Sequence, residues 1–378
     1  MIDVRKLDVW YTNNLANLRS INQKKKIFLN KSQEKTNRKK IINFVIEESE
    51  RLSIKLNQFH KTKYSKKFWT KVLFKWLFFT IDNIYTNHEI FQKILDKKEK
   101  FKIYKFKISK NTTVTHLKTD PEAFHNFLIS EFIKLKKFKY KEENFKISKI
   151  QKRRKKFLKK KSRMGFFKKC HIWLSNILLK SIGNPKFIIS DIGITFKENI
   201  FLNLKLGQFP YFIHFKKEKS EYSYLKEKRK ELFLYKGNND FKKFYYRVVE
   251  SIFPAEYLEL FSKIEKNFEN LFPKKPNYFL TNNIYDPEEK AFYLMKLREN
   301  KTKLYIFQHG GLYGTHYYPT GELTEKKIAN KFFTWGWKKN KIDIPFYALP
   351  FCKKKKDINK LNSKKKKFCY VLIYPIGF

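Results

Sequence analysis

Cysteine is scarce: Cys170, Cys352 and Cys369 are the three in 378 residues. They cannot form a disulfide framework, which fits a reducing compartment. Glycine and proline number 11 each, too few for a collagen-like or linker-like chain. No apolar h-region follows Met1-Ile2-Asp3-Val4-Arg5-Lys6, so no secretory signal is expected. The most apolar stretch, from Val72 to Ile81, contains Lys75 and is too short to span a bilayer; it reads as a buried helix. Together these features predict a cytoplasmic chain, with its positive charge suited to peripheral contact with the inner face of a membrane. The chain also lacks GxxxxGK[ST], GxGxxG, GxSxG and HExxH patterns. Their absence argues against a P-loop triphosphatase, a standard dinucleotide site, a nucleophile elbow and a zinc peptidase. No metal site and no cofactor are expected.

Acidic residues are few, 35 against 85 Lys and Arg, for a formal charge of +50. Phosphate neutralisation by Lys and Arg drives non-specific nucleic-acid binding, so a basic nucleic-acid- or anionic-surface-binding protein is the alternative reading. The excess is nearly all Lys, however, and it travels with Phe, Ile, Asn and Tyr, all of which have A/T-rich codons. Binders that read bases or phosphates lean on the bidentate fork of Arg, which is scarce here. Nucleic acid is therefore not the expected partner. Hydrophobic residues make up 42% of the chain, with 40 Phe, 22 Tyr and 6 Trp, which excludes disorder over most of its length. A chain of this size holds about two domains.

Apolar spacing predicts an amphipathic helix over 36–58, a polar break, and a second helix capped by Ser65 and running through Phe68, Trp69, Leu73, Trp76, Leu77 and Ile81. Residues 101–108 alternate loosely as a short strand. Asp120-Pro121-Glu122 opens a helix carrying Phe124, Phe127, Leu128, Phe132 and Leu135. The run 146–169 is strongly basic, and reads either as a solvated face or as a patch for phosphate or anionic lipid. A short strand follows at Phe187 to Ile189, and residues 240–271 read as helix interrupted at Phe253-Pro254. Beyond residue 277 the rhythm becomes strand (Tyr278 to Thr281), helix (from Asp286-Pro287 to about Asn300), strand (Lys303 to Phe307), helix (about Gly321 to Asn330), strand (Phe332 to Trp335). That is the pattern of a parallel, doubly wound α/β sheet. A Lys-rich linker from Lys353 to Lys367 precedes a last strand, Phe368 to Ile373.

Chemistry is expected at Gln308-His309-Gly310-Gly311-Leu312-Tyr313-Gly314-Thr315-His316. Open α/β sheets bind ligands beyond the carboxyl ends of their strands, and this segment follows a central one. Gly310, Gly311 and Gly314 would let the backbone bend sharply and bring N–H groups to a ligand. His309 can accept a hydroxyl proton near neutral pH. Glu322 and Glu325, on the next helix, could orient His309 or hold a polyol. Equally, the glycines could form only a tight turn, with His309 bonded to a neighbouring carbonyl. Trp335 and Trp337 could stack on a sugar or base, but packing between sheet and helices is the favoured role.

Four blocks resemble a bacterial family of transferases encoded in surface-polysaccharide (O-antigen or capsule) clusters. They are Leu56-Asn57 to His60 with Tyr64-Ser65-Lys66-Lys67-Phe68-Trp69; Leu204 to Pro210; Phe253-Pro254 with Tyr257-Leu258-Glu259; and Gln308 to Gly314 with Glu322, Glu325, Ile328-Ala329-Asn330 and Thr334-Trp335-Gly336-Trp337. Lys67 and Asn330 stand where the family has Arg and Asp. The resemblance implies a GT-B-like, Rossmann-type parallel-sheet α/β domain with many added helices, acting as a glycosyltransferase-like enzyme in surface polysaccharide (lipopolysaccharide) biosynthesis. It implies His309 and Glu325 as catalytic, with Gln308, Gly310, Gly311, Tyr313, Gly314 and Glu322 binding substrate. The partners implied are a nucleotide-sugar donor and a glycan or lipid-linked acceptor. By this likeness residues 1–350 form the acceptor-side domain, 351–367 a linker and 368–378 the stub of a donor-binding domain whose remainder is missing. The expectation is then a truncated product, or a fragment completed by another polypeptide, that can be inactive alone.

Overall fold

The computed structural model describes residues 2–3, 31–94, 100–105, 121–144, 170, 185–211, 213, 215, 222–271, 275–285, 289–315 and 320–350. In chain order the first elements are β1 (Ile2–Asp3), α1 (Lys31–His60), α2 (Lys66–Ile94), β2 (Phe101–Lys105), α3 (Pro121–Leu135), β3 (Tyr140–Asn144), β4 (Phe187–Ser190) and α4 (Phe196–Lys205). Then come α5 (Lys226–Leu232), α6 (Asp240–Ile252), a 3-10 turn (Ala255–Tyr257), α7 (Phe261–Leu271), β5 (Tyr278–Thr281) and α8 (Glu289–Glu299). The last are β6 (Lys303–Phe307), α9 (Thr320–Ile328), β7 (Lys331–Trp335) and β8 (Asp343–Phe346). Described residues up to 144, with those at 222–260, form one compact unit; those from 170 to 215, with those from 261 to 350, form a second.

The first unit is mostly helical, with a three-stranded parallel sheet in the order β1-β2-β3. The α1–α2 corner explains the first motif block. Asn57 donates from Nδ2 to the Tyr64 carbonyl (2.7 Å), while its Oδ1 accepts from Thr62 Oγ1 (2.9 Å) and Trp69 Nε1 (2.8 Å). Ser65 caps α2 by accepting from the Phe68 N–H (3.0 Å). His60 Nε2 lies 3.0 Å from the Tyr257 carbonyl. The stretch from Val72 to Ile81 sits inside α2, and most of it is buried, as is expected of a core helix. No described helix is long and apolar enough to cross a membrane.

The third block holds a buried ion pair. Glu259 receives both the Nε (2.7 Å) and Nη2 (2.8 Å) of Arg229, whose Nη1 donates to the Glu250 carbonyl (3.1 Å). Both side chains are essentially excluded from solvent.

The second unit carries a five-stranded sheet, parallel throughout, in the order β4-β5-β6-β7-β8. This is the alternation of strands and helices expected beyond residue 277. The doubly wound arrangement is not what the described strands show: their order increases steadily, without the reversal that defines it. Three strands are not anticipated from the sequence: the two-residue β1, β3 and β8. β3 reads Tyr-Lys-Glu-Glu-Asn because it is an exposed edge, with Glu143 paired to Lys102 at 2.7 Å. β8 contains Pro345, which an edge strand tolerates because one side of it makes no ladder bonds.

Several expectations lie outside the described residues: 106–108, Asp120, the basic run 146–169, Asp286-Pro287, His316, the Lys-rich linker 351–367 and the strand and stub 368–378.

Candidate active site

The register Ser190↔Thr281, Thr281↔Ile306 and Phe307↔Phe333 levels the carboxyl ends of four strands along one edge. Gln308 to Gly314 leaves β6 at that edge. Gln308 is buried and occupied by the protein itself. Its N–H donates to the Phe333 carbonyl (2.8 Å), and Nε2 donates to the Gly310 carbonyl (2.8 Å). Its Oε1 accepts from the Trp335 N–H (2.8 Å) and from Trp337 Nε1 (2.9 Å). The glutamine expected to bind substrate thus ties the ends of β6 and β7 and the indole of Trp337 together.

The next residue emerges from that anchor. His309 is 40% exposed, with Nδ1 3.7 Å from Glu325 Oε1 and Nε2 3.5 Å from the Tyr313 hydroxyl. Tyr313 turns back over α9 and donates to Glu325 Oε2 at 3.1 Å. Its ring lies along that of Phe332, with centroids 6.1 Å apart. Burial first, then the charges of Glu325 and Glu322, push the Tyr313 phenol far above its ordinary range. It therefore stays protonated and acts as a donor. Glu325 is 1% exposed, a buried carboxylate that faces one phenol and one imidazole. These separations exceed a tight hydrogen bond for the imidazole, as is common before a substrate closes such a site.

Glu322 serves the turn. Its Oε2 accepts from the Gly314 N–H (2.8 Å), while Oε1 meets Lys326 Nζ (2.8 Å). Lys326 also reaches Asp343 Oδ1 (2.8 Å) on β8 and lies 4.6 Å from the centre of a Trp337 ring. Asp343, fully buried, accepts the Lys339 and Asn340 N–H groups through Oδ2 (3.0 and 2.8 Å). Sequence reasoning missed Asp343 and Lys326. They belong to no motif: the pairing of β7 with β8 brings Asp343 to Lys326 of α9, and Lys326 in turn lies against Trp337.

The three glycines divide. Gly314 has φ +77, and a Cβ there would stand 2.6 Å from the Trp337 indole. Gly310 and Gly311 have no left-handed backbone, and a Cβ on Gly311 would meet open space. The sharp bend expected at all three is required at Gly314 alone among them. Asn330 explains its own substitution: Oδ1 accepts the Leu304 N–H (2.9 Å), a role that an amide fills as well as a carboxylate. Trp337 packs as expected, its N–H bonded to Gln308 and its ring against Gly314.

A half-exposed imidazole backed by a buried carboxylate, at the ligand-binding edge of a parallel sheet, is equipped to take a proton from an incoming nucleophile. That is a requirement of group transfer to a hydroxyl. Among the described residues no three His, Cys, Asp or Glu side chains converge as metal ligands would. The class and the family come together here: residues 5–375 match the model of the LIC12162 family transferase. The chain belongs to that family, and it is a transferase. Comparison with curated proteins and with solved structures returned no match.

Proposed function

We propose that this transferase moves a glycosyl group from a nucleotide-sugar to a hydroxyl of a glycan or lipid-linked acceptor, in the assembly of a bacterial surface polysaccharide with a GT-B-like enzyme. The observation that carries the reading is the His309–Glu325–Tyr313 cluster at the carboxyl end of β6. In the step proposed, His309 takes the acceptor O–H proton as that oxygen bonds to the anomeric carbon. The bond from that carbon to the nucleotide phosphate breaks, and the nucleotide leaves with its electron pair. Glu325 stabilises the imidazolium, and Tyr313 fixes the carboxylate that does so.

The test incubates the full chain with a panel of nucleotide-sugars and carbohydrate or lipid-linked acceptors, following nucleotide release and product mass. With a productive pair, His309→Ala is expected to lower the transfer rate by about 10²–10⁴-fold. Binding of the nucleotide-sugar should remain. Wild-type rates in His309→Ala would overturn the assignment of the base, and failure of every nucleotide-sugar to bind would overturn glycosyl transfer.

A further inference from the structure

Helix α4 packs Leu202 against the core of Ile189, Ile192 and Phe307 but turns two other apolar side chains, Phe201 and Leu204, outward. The face against the protein carries Asn199 and Asn203, both buried, and the following turn brings in Gln208. The reason lies in β4, the edge strand of its sheet, whose outer row of N–H and C=O groups needs partners. Gln208 accepts from the Phe187 N–H (2.9 Å) and donates to the Phe187 carbonyl (2.6 Å). Asn199 Nδ2 donates to the Ile189 carbonyl (3.2 Å), and Asn203 bridges to Asn199 Oδ1 (2.7 Å) and Gln208 (2.6 Å). Because amides must occupy the inner face, Phe201 and Leu204 stand outside at 59% and 60% exposure, and Leu206 joins them at 38%. A surface helix ordinarily has the reverse arrangement.

Leaving a phenyl and two isobutyl groups in water forfeits their burial, and a cluster of this kind marks a contact surface. The charge around it selects the partner. Lys197, one turn before Phe201, and Lys205 are exposed on the same helix, with the Lys205 ammonium 4.7 Å from the Phe201 ring centre. The neighbouring acid, Glu198, is turned to cap the helix through the Thr195 N–H (2.5 Å). On a chain of net charge +50, a second copy would bring like charges together at this face. An anionic lipid surface would instead be attracted, with Lys stems lying along the apolar groups and ammonium heads at phosphate level.

We propose that α4 is the docking face for an anionic bilayer, with Phe201, Leu204 and Leu206 entering the acyl boundary and Lys197 and Lys205 meeting the headgroups. The contact stands independently of the transfer reaction.

The experiment is co-sedimentation of the full chain with vesicles of phosphatidylcholine alone and of phosphatidylcholine mixed with phosphatidylglycerol, at low and high salt. Wild type should bind the mixed vesicles and keep a salt-resistant fraction, because apolar insertion survives screening. Phe201→Ser with Leu204→Ser should lower that fraction about tenfold, with circular dichroism unchanged. Lys197→Glu with Lys205→Glu, which keeps the apolar groups, should weaken the preference for phosphatidylglycerol. Equal salt-resistant binding by the Ser variant would overturn the proposal, as would a wild type indifferent to both vesicles. A concentration-dependent dimer in light scattering that the Ser variant abolishes would also overturn it, by making a second copy the occupant.

Discussion

Gly314 combines two constraints that a single methyl group would violate. Its φ of +77 lies in the left-handed region, and the Trp337 indole would stand 2.6 Å from an added Cβ. Left-handed backbone costs an ordinary L-residue about 1–2 kcal/mol before any clash is counted. Gly314→Ala is therefore expected to lower the melting temperature, read by calorimetry, and to release Trp337, read as a shift in tryptophan emission. Gly311→Ala, which meets open space, should leave both unchanged. The same scale explains the mixture of roles within one motif. Gln308 and Glu322 are committed to the fold by their bonds to Trp335, Trp337 and Gly314, whereas His309 is half-exposed.

At the level of elements, the motif blocks are mostly joints between helices and strands. Asn57 and Ser65 lock the turn from α1 to α2, Gln208 closes the edge of β4, and Glu259 holds Arg229 between α5 and α6. The Arg229–Glu259 pair permits a sharp prediction. Removing one partner leaves a buried charge uncompensated, at a cost of about 3–5 kcal/mol. Arg229→Leu should thus destabilise the protein strongly in urea denaturation. The double replacement Arg229→Leu with Glu259→Leu should recover much of that loss, because neither charge is then stranded. Equal losses in the single and double variants would show that the pair acts through something other than charge compensation.

For the whole molecule, acid stability is governed in part by His88. Burial against Phe132, Phe241 and Phe244 is the main cause that lowers its pKa to about 4, with Lys136 adding to the effect and Asp240 opposing it. Because this value lies below the ordinary value of 6.5, the unfolded chain binds the proton more readily between the two. The stability contributed by the neutral imidazole is complete above about pH 6.5 and is lost as pH falls towards about 4. Thermal unfolding should show a decline across this window that is shallower in His88→Gln. An identical pH profile in the variant would remove His88 as its source.

The pattern of apolar spacing determined much by itself. A helix over 36–58 and a second from Ser65 through Ile81, which lie within α1 and largely within α2, the strands at 278–281 and 303–307 and the α/β rhythm beyond 277 follow from periodicities of 3.6 and 2 read over local windows. Gln308 to Gly314 could also be placed at a strand end, since glycine and histidine after an apolar run are a local signal. Only tertiary structure decided what lies across strands. Strand order, the edge positions of β3 and β8, the meeting of Lys326 with Asp343, and the inward amides of α4 depend on partners far apart in sequence. A polar strand such as Tyr140–Asn144 or an Asn-faced helix looks anomalous in its own window. It becomes necessary only when the backbone groups of a neighbouring element need hydrogen-bond partners.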